Sequence, residues 1–318
     1  MRLRHDEGTL VHLAYNAGVH PAEDLENLIA HLTRYAVPVR RRLGVDRLGI
    51  HLWLAPAVAD HLIADRIELV RLRRSLEERG LEVVGLNGTG GRNREAPGPD
   101  WAKPERYRYT MALARILAFL LPDDVQYGSI STIPIGWRRE WPADLQAIAN
   151  RRLERLAREL RGLYSVTGKV IRVGFEPWPG CVIETTQQAL ERVGDIDPEH
   201  LGVCLDACHL AHGAEQTGEA LRGLARAGAP VVRLSHVHDH ELARGAGGEL
   251  PSTRPVLQDT VSALLSGSVT GSAHIEVESH DLSGITKAKG PAALVARLAD
   301  ELDWTRRNLT AMGFKLAA

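Results

Sequence analysis

Two phrases decide the reading: Lys169-Val170-Ile171-Arg172-Val173-Gly174-Phe175-Glu176-Pro177 and Leu201-Gly202-Val203-Cys204-Leu205-Asp206-Ala207-Cys208-His209. Each is a β-rich run that ends on a hard ligand, a carboxylate in the first and Asp-x-x-His in the second. Each is followed at once by helical sequence. Two later strand ends repeat the arrangement, Ser235-His236-Val237-His238 and His274-Ile275-Glu276-Val277-Glu278. Four consecutive strands thus deliver Glu, Asp/His, His and Glu to one rim, a set suited to a divalent metal ion.

Working outward, the same strand-then-helix unit recurs along the chain. Strands are expected at Thr9–Tyr15, Arg47–Leu54, Leu81–Leu86 and Val125–Thr132, then at the Glu176 and Asp206 runs, Pro230–His238 and Ser272–Glu278. Helices are expected over Ala22–Leu43, Pro56–Arg79, Glu105–Leu121, Ala143–Tyr164, Thr185–Val193, Gly218–Ala227, Val256–Leu265 and Ala292–Thr310. Leu25, Leu28, Ile29, Leu32 and Ala36 keep helical spacing in the first of these. Alternating β and α elements imply a parallel sheet, and eight such units imply closure: an α/β protein, a (β/α)8 TIM barrel, as one domain over 1–318. Strand C-termini form the mouth of such a barrel, where active sites are built. The longest loops, 87–104 and 239–255, are rich in Gly and Pro and lie on that rim.

Composition narrows the function. With 318 residues, 44% hydrophobic and 25% charged, the chain is an ordinary globular protein. A net charge of −1 gives no electrostatic argument for nucleic acid or an anionic membrane. Three cysteines, Cys181, Cys204 and Cys208, are odd in number, which argues against a disulfide scaffold and for a reducing cytosol. Met1–Glu7 has no apolar signal region and no stretch approaches a membrane span, so a soluble, cytoplasmic protein is expected.

Within the constellation, Glu176 sits before a Pro-stiffened turn, as a metal ligand or general base would. Asp206 and His209, three apart as the strand turns out, can face one cavity. His236 and His238 lie two apart and so point the same way from a regular strand; His238, nearer the rim, is the chosen ligand. Glu276 and Glu278 pose the same choice, and Glu278 is taken, since buried carboxylates need a cation partner. Asn87-Gly88-Thr89-Gly90-Gly91 lacks the Lys-Ser/Thr of a P-loop and makes a weak phosphate cradle.

Glu-Pro, Asp-x-x-His, His-x-His and Glu-Ser at four successive strand ends resemble the xylose-isomerase-like TIM barrels, which include sugar epimerases, hydroxypyruvate isomerase and endonuclease IV. The resemblance implies one divalent ion (Mn, Mg, Co or Zn) on Glu176, Asp206, His238 and Glu278. It also implies a substrate-contacting His209 and a substrate-oxygen contact from Arg244. His236, Glu276, Asn87 and His20 complete the candidate substrate contacts. A closer resemblance is to EboE-type proteins of bacterial metabolite operons, through Pro99-Asp100-Trp101, Tyr109-Thr110, Gly128-Ser129-Ile130-Ser131-Thr132-Ile133-Pro134 and the Glu176 and Asp206 phrases. The loop after Asn87 departs from that pattern: aromatic residues and a His are expected, and Thr89-Gly90-Gly91-Arg92-Asn93 stand there.

The expected chemistry is proton transfer next to the carbonyl of a sugar, cyclitol or related polyol, with Glu176 and Glu278 as base and acid. A small polyol or sugar-like molecule is the expected partner; nucleic acid and membrane are not, and a homodimer is compatible with the sequence. Two rival readings are a hydrolase of the endonuclease IV kind, with extra ligands from His12, His20 and His51, and a non-catalytic metabolite-binding barrel.

Overall fold

The computed structural model describes residues 1–19, 24–89, 98–211, 215–236, 253–267, 274–277 and 283–317. Eight parallel strands close into a barrel: β2 (Leu10–Asn16), β3 (Leu48–Trp53), β4 (Leu81–Asn87), β5 (Tyr127–Thr132), β6 (Val170–Phe175), β7 (Leu201–Asp206), β8 (Val231–His236) and β9 (His274–Val277). Each pairs with the next, and β9 pairs back with β2 in register Ala14↔Glu276. The expected TIM barrel is the observed fold.

Two further strands add to it. β1 (Arg2–His5) pairs antiparallel with β2, and β10 (Phe314–Leu316) pairs antiparallel with β1. Met1-Arg2-Leu3-Arg4 and Phe314-Lys315-Leu316 do alternate apolar and polar residues, but over only three or four positions, too short a run to mark a strand in the sequence. Arg2 on β1 donates to Glu82, and Lys315 on β10 to Asp6.

The helices differ from expectation at identifiable residues. The expected 56–79 helix is two, α3 (Pro56–Ala64) and α4 (Arg66–Glu78). Asp65 between them leaves helical dihedrals, and its carboxylate accepts from the backbone N–H of Ile67 and Glu68 at 2.9 and 3.3 Å. An Asp side chain that can cap a new helix competes with continuation of the old one. The first expected helix is α1 (Leu25–His31), a π turn over Leu32–Ala36, and α2 (Val37–Arg42). Pro38 stands in the first turn of α2, where its missing N–H would break a continuous α ladder. The last helix, Ser283–Ala311, begins earlier than expected and is interrupted at Gly290, whose φ of 75° precedes Pro291.

The apolar core lies between the outer faces of the strands and the helices, where Leu13, Ile50, Leu52, Leu86, Ile130, Val173, Phe175 and Leu205 are all buried. The barrel interior is different. Register places Asn16, His51, Gly85 and Ser129 side by side across β2–β5. Trp53, Asn87, Ser131, Gly174 and Gly202 follow toward the rim across β3–β7. TIM-barrel interiors are ordinarily filled by bulky branched side chains; this one is polar.

Candidate active site

Glu176 follows the last residue of β6, and its backbone N–H donates to Thr132 O at 3.2 Å, which extends the β5–β6 ladder to the rim. The residue is only 8% exposed. Asp206, the last residue of β7, is 6% exposed. Its Oδ1 accepts the backbone N–H groups of Cys208 at 2.8 Å and His209 at 3.2 Å, opening the short helix α8 (Ala207–Ala211). The chain therefore turns out of the barrel around this carboxylate. His209 stands half-buried with Nε2 at 3.2 Å from the Glu184 carbonyl oxygen. A carbonyl can only accept, so Nε2 carries the proton in that contact and Nδ1 is the acceptor of the neutral ring.

Asn87 ends β4 and is held from three sides. Its Nδ2 donates to Asn16 Oδ1 at 2.8 Å, and its Oδ1 accepts from Ser131 Oγ at 3.3 Å and from Arg233 Nη1. Asn16 Oδ1 also accepts the Gly18 N–H at 2.7 Å. These donors and acceptors fix which way the Asn87 amide points. Arg233 on β8, 1% exposed, places Nη2 at 3.8 Å from Glu176 Oε2. The network thus joins β2, β4, β5, β6 and β8.

Glycines make the room. A Cβ on Gly85 would come 2.5 Å from His51 Cδ2, and one on Gly174 would come 2.5 Å from Cys204 Sγ. Cys204 is accordingly a buried barrel residue packed against a glycine.

The rim wall after β5 and β6 is tied together by its backbone. Trp101 N donates to Ile135 O at 3.0 Å, Val182 N to Gly136 O at 2.9 Å, and Arg138 N to Gly180 O at 3.0 Å. Ile135 has φ 73°, a left-handed conformation that a β-branched residue adopts only under constraint. Across the mouth, the buried Arg106 of α5 (Pro104–Leu120) donates to Gly88 O at 2.5 Å and Pro99 O at 2.7 Å, so it pins both ends of the long loop after β4. Burial lowers its pKa to about 10.

Of the residues singled out from sequence, Glu176, Asp206, His209 and Asn87 lie at the C-terminal ends of β4, β6 and β7 or just beyond. For His236 and Glu276 the backbone is placed: Ser235 pairs with Glu276 and His236 with Val277, at the ends of β8 and β9. His238, Glu278, Arg244 and His20 lie outside the described residues. Among the described residues no group of three or more His, Cys, Asp or Glu side chains forms a metal cluster. The two described carboxylates still suit a hard divalent ion, being buried oxygen donors at adjacent strand ends. His12 does not belong to this rim. It pairs with Arg2 of β1, four residues before Asn16 and so about 13 Å down the strand.

Sequence reasoning missed Arg233, Asn16 and Ser131. Arg233 did carry a signal: a lone charge inside the run Val231-Val232-Arg233-Leu234 has to be paired if the strand is buried. For Asn16 and Ser131 no such signal exists, because short neutral polar residues are equally common at exposed strand ends.

Residues 41–306, most of the chain, match the xylose isomerase-like TIM barrel family. The chain belongs to that family. Among curated proteins none matches the sequence significantly. Solved structures of similar fold include 3-keto-D-glucoside 4-epimerase YcjR from E. coli, 14% identical over 93% of this chain and 99% of that one, TM-score 0.57. D-psicose 3-epimerase from Clostridium cellulolyticum H10, with D-tagatose, is 14% identical over 94% and 99%, TM-score 0.60. The IOLI protein with a bound zinc atom is 16% identical over 96% and 100%, TM-score 0.57. At these identities the likeness is one of fold, and a xylose isomerase-like barrel takes its chemistry from its own rim.

Proposed function

We propose that this chain is a divalent-metal-dependent isomerase or epimerase acting on a sugar, cyclitol or related polyol carbonyl compound. The observation that carries the reading is the pair of buried carboxylates, Glu176 and Asp206, at the C-terminal ends of adjacent strands of a family barrel. The names of the structural neighbours support the substrate class: two of the three described above are named as epimerases, of a 3-keto-D-glucoside and of D-psicose.

In this reading Glu176 and Asp206 hold the ion together with His238 and Glu278. When bound, the ion supplies Lewis-acid polarisation of the substrate carbonyl. Glu176 takes the proton from the carbon next to that carbonyl on one face, and Glu278 gives one back on the other. His209, with Nδ1 as acceptor, takes a hydrogen bond from a substrate hydroxyl, and Arg244 and Asn87 orient further oxygens. We place the substrate among the small metabolites handled by EboE-type proteins, and the protein in the cytoplasm.

The test is twofold. Metal content of the purified chain is expected to be about one divalent ion per chain, the stoichiometry of a single four-ligand site. Incubation with a panel of ketohexoses and keto-cyclitols in deuterated water is expected to put deuterium on the carbon next to the carbonyl, and Glu278→Gln to abolish it. Metal without exchange across the panel points to a binding barrel instead; unchanged exchange in Glu278→Gln removes that residue from the mechanism.

A further inference from the structure

Arg233 reaches in two directions from the middle of β8, to Glu176 Oε2 at 3.8 Å and to Asn87 Oδ1. It is 1% exposed, so it is not a surface arginine with its head in water. Guanidinium stays charged in proteins and presents a rigid planar fork. A fixed positive charge is therefore built into the barrel against one of its two described rim carboxylates. Asn87, the fork's other partner, is anchored to Asn16 and Ser131, so the guanidinium has a defined place.

We infer that Arg233 is the resident counter-cation of this site, a positioning residue that holds Glu176 and shares its charge with any divalent ion that binds. Two consequences follow. Without metal, Arg233 allows the barrel to fold with a buried carboxylate at its mouth, since breaking a buried pair is costly. With metal, the guanidinium repels the ion, so the ion binds less tightly than the same carboxylates would hold it alone. The second consequence rests on the metal reading above; the first does not.

The test uses the full chain and Mn2+ alone. Thermal unfolding and Mn2+ affinity are measured for the wild type, Arg233→Met, Arg233→Lys, Glu176→Gln and the Arg233→Met/Glu176→Gln double variant. Without metal, Arg233→Met is expected to lower the unfolding midpoint and Glu176→Gln to recover part of that loss. With Mn2+, Arg233→Met is expected to bind at least about tenfold more tightly than the wild type, and Arg233→Lys within about threefold of it, because only the former removes the charge. Additive effects in the metal-free cycle overturn the proposal, and so does equal or weaker Mn2+ affinity in Arg233→Met when the wild type binds. If no form binds Mn2+, the metal reading fails, and the metal-free cycle alone upholds or overturns Arg233 as the counter-cation. If Arg233→Met yields no folded chain, rescue by Glu176→Gln is the readout, and absence of rescue overturns the proposal.

Discussion

Asp206 does two separable things, and substitution can pull them apart. Its charge serves the proposed ion, while its Oδ1 accepts two backbone N–H groups, at 2.8 and 3.2 Å, that turn the chain into α8. Asp206→Asn keeps an acceptor oxygen in place and removes the charge. Asp206→Ala removes both. Loss of a cap of this kind costs about 0.5–2 kcal/mol; with two donors served from a site 6% exposed, the upper half of that range applies. Asp206→Ala should therefore unfold about 1–2 kcal/mol more easily than Asp206→Asn, a difference of about 1.5–3 °C in midpoint for a chain of this size. Both variants should lose the divalent ion. Metal analysis of the purified proteins and thermal unfolding in chelator read the two effects separately. Equal midpoints would refute the capping role, and metal retained by Asp206→Asn would refute the ligand role.

Two further outcomes test the barrel interior. Gly174→Ala should destabilise by about 1–3 kcal/mol through overpacking, because the new Cβ meets Cys204 Sγ at 2.5 Å and Val232 Cβ at 2.8 Å. Adding Cys204→Ala should recover part of that loss, and a denaturant midpoint for Gly174→Ala at or above the wild type would contradict the packing. His12 is held neutral at the closed end of the barrel, its pKa lowered to about 3 chiefly by burial and then by the neighbouring amino terminus and Arg2. Its folded pKa lies below its unfolded one, so its contribution is intact above about pH 6.5 and is lost as pH falls toward 3, by up to about 1.4 kcal/mol per pH unit. Stability measured between pH 7 and 5 should fall less steeply in His12→Gln than in the wild type; parallel curves would rule His12 out as the cause.

The barrel was legible because eight apolar runs alternate with eight amphipathic stretches, and that alternation has few solutions. The strand-end positions of Glu176 and Asp206 were legible because these carboxylates interrupt those runs where a strand must end. What lay hidden depends on partners remote in sequence. Asn87 is recognisable as a strand-end residue, yet its role comes from Asn16, Ser131 and Arg233, which only barrel closure brings to it. Helix breaks escaped for a local reason: Asp65 fits the helical pattern on both sides, and only its capping bonds to Ile67 and Glu68 show that the pattern restarts there.

The polar interior carries its own argument about function. A barrel filled with Val, Ile and Leu would gain burial energy at every inward position. Here Asn16, His51, Asn87, Ser129, Ser131, Glu176, Asp206 and Arg233 occupy buried or nearly buried barrel positions, and Gly85 and Gly174 give up their side chains to let His51 and Cys204 fit. Each polar group must find a partner or cost free energy, and for Asn16, Asn87, Ser131, Glu176 and Arg233 the chain supplies partners through a network spanning five strands. Stability alone gives no reason to build such an interior. A site that must hold charge, orient hydroxyl groups and stay rigid before its ligand arrives does give one. That is why the rim of β6 and β7, rather than any surface patch, is where activity should be sought.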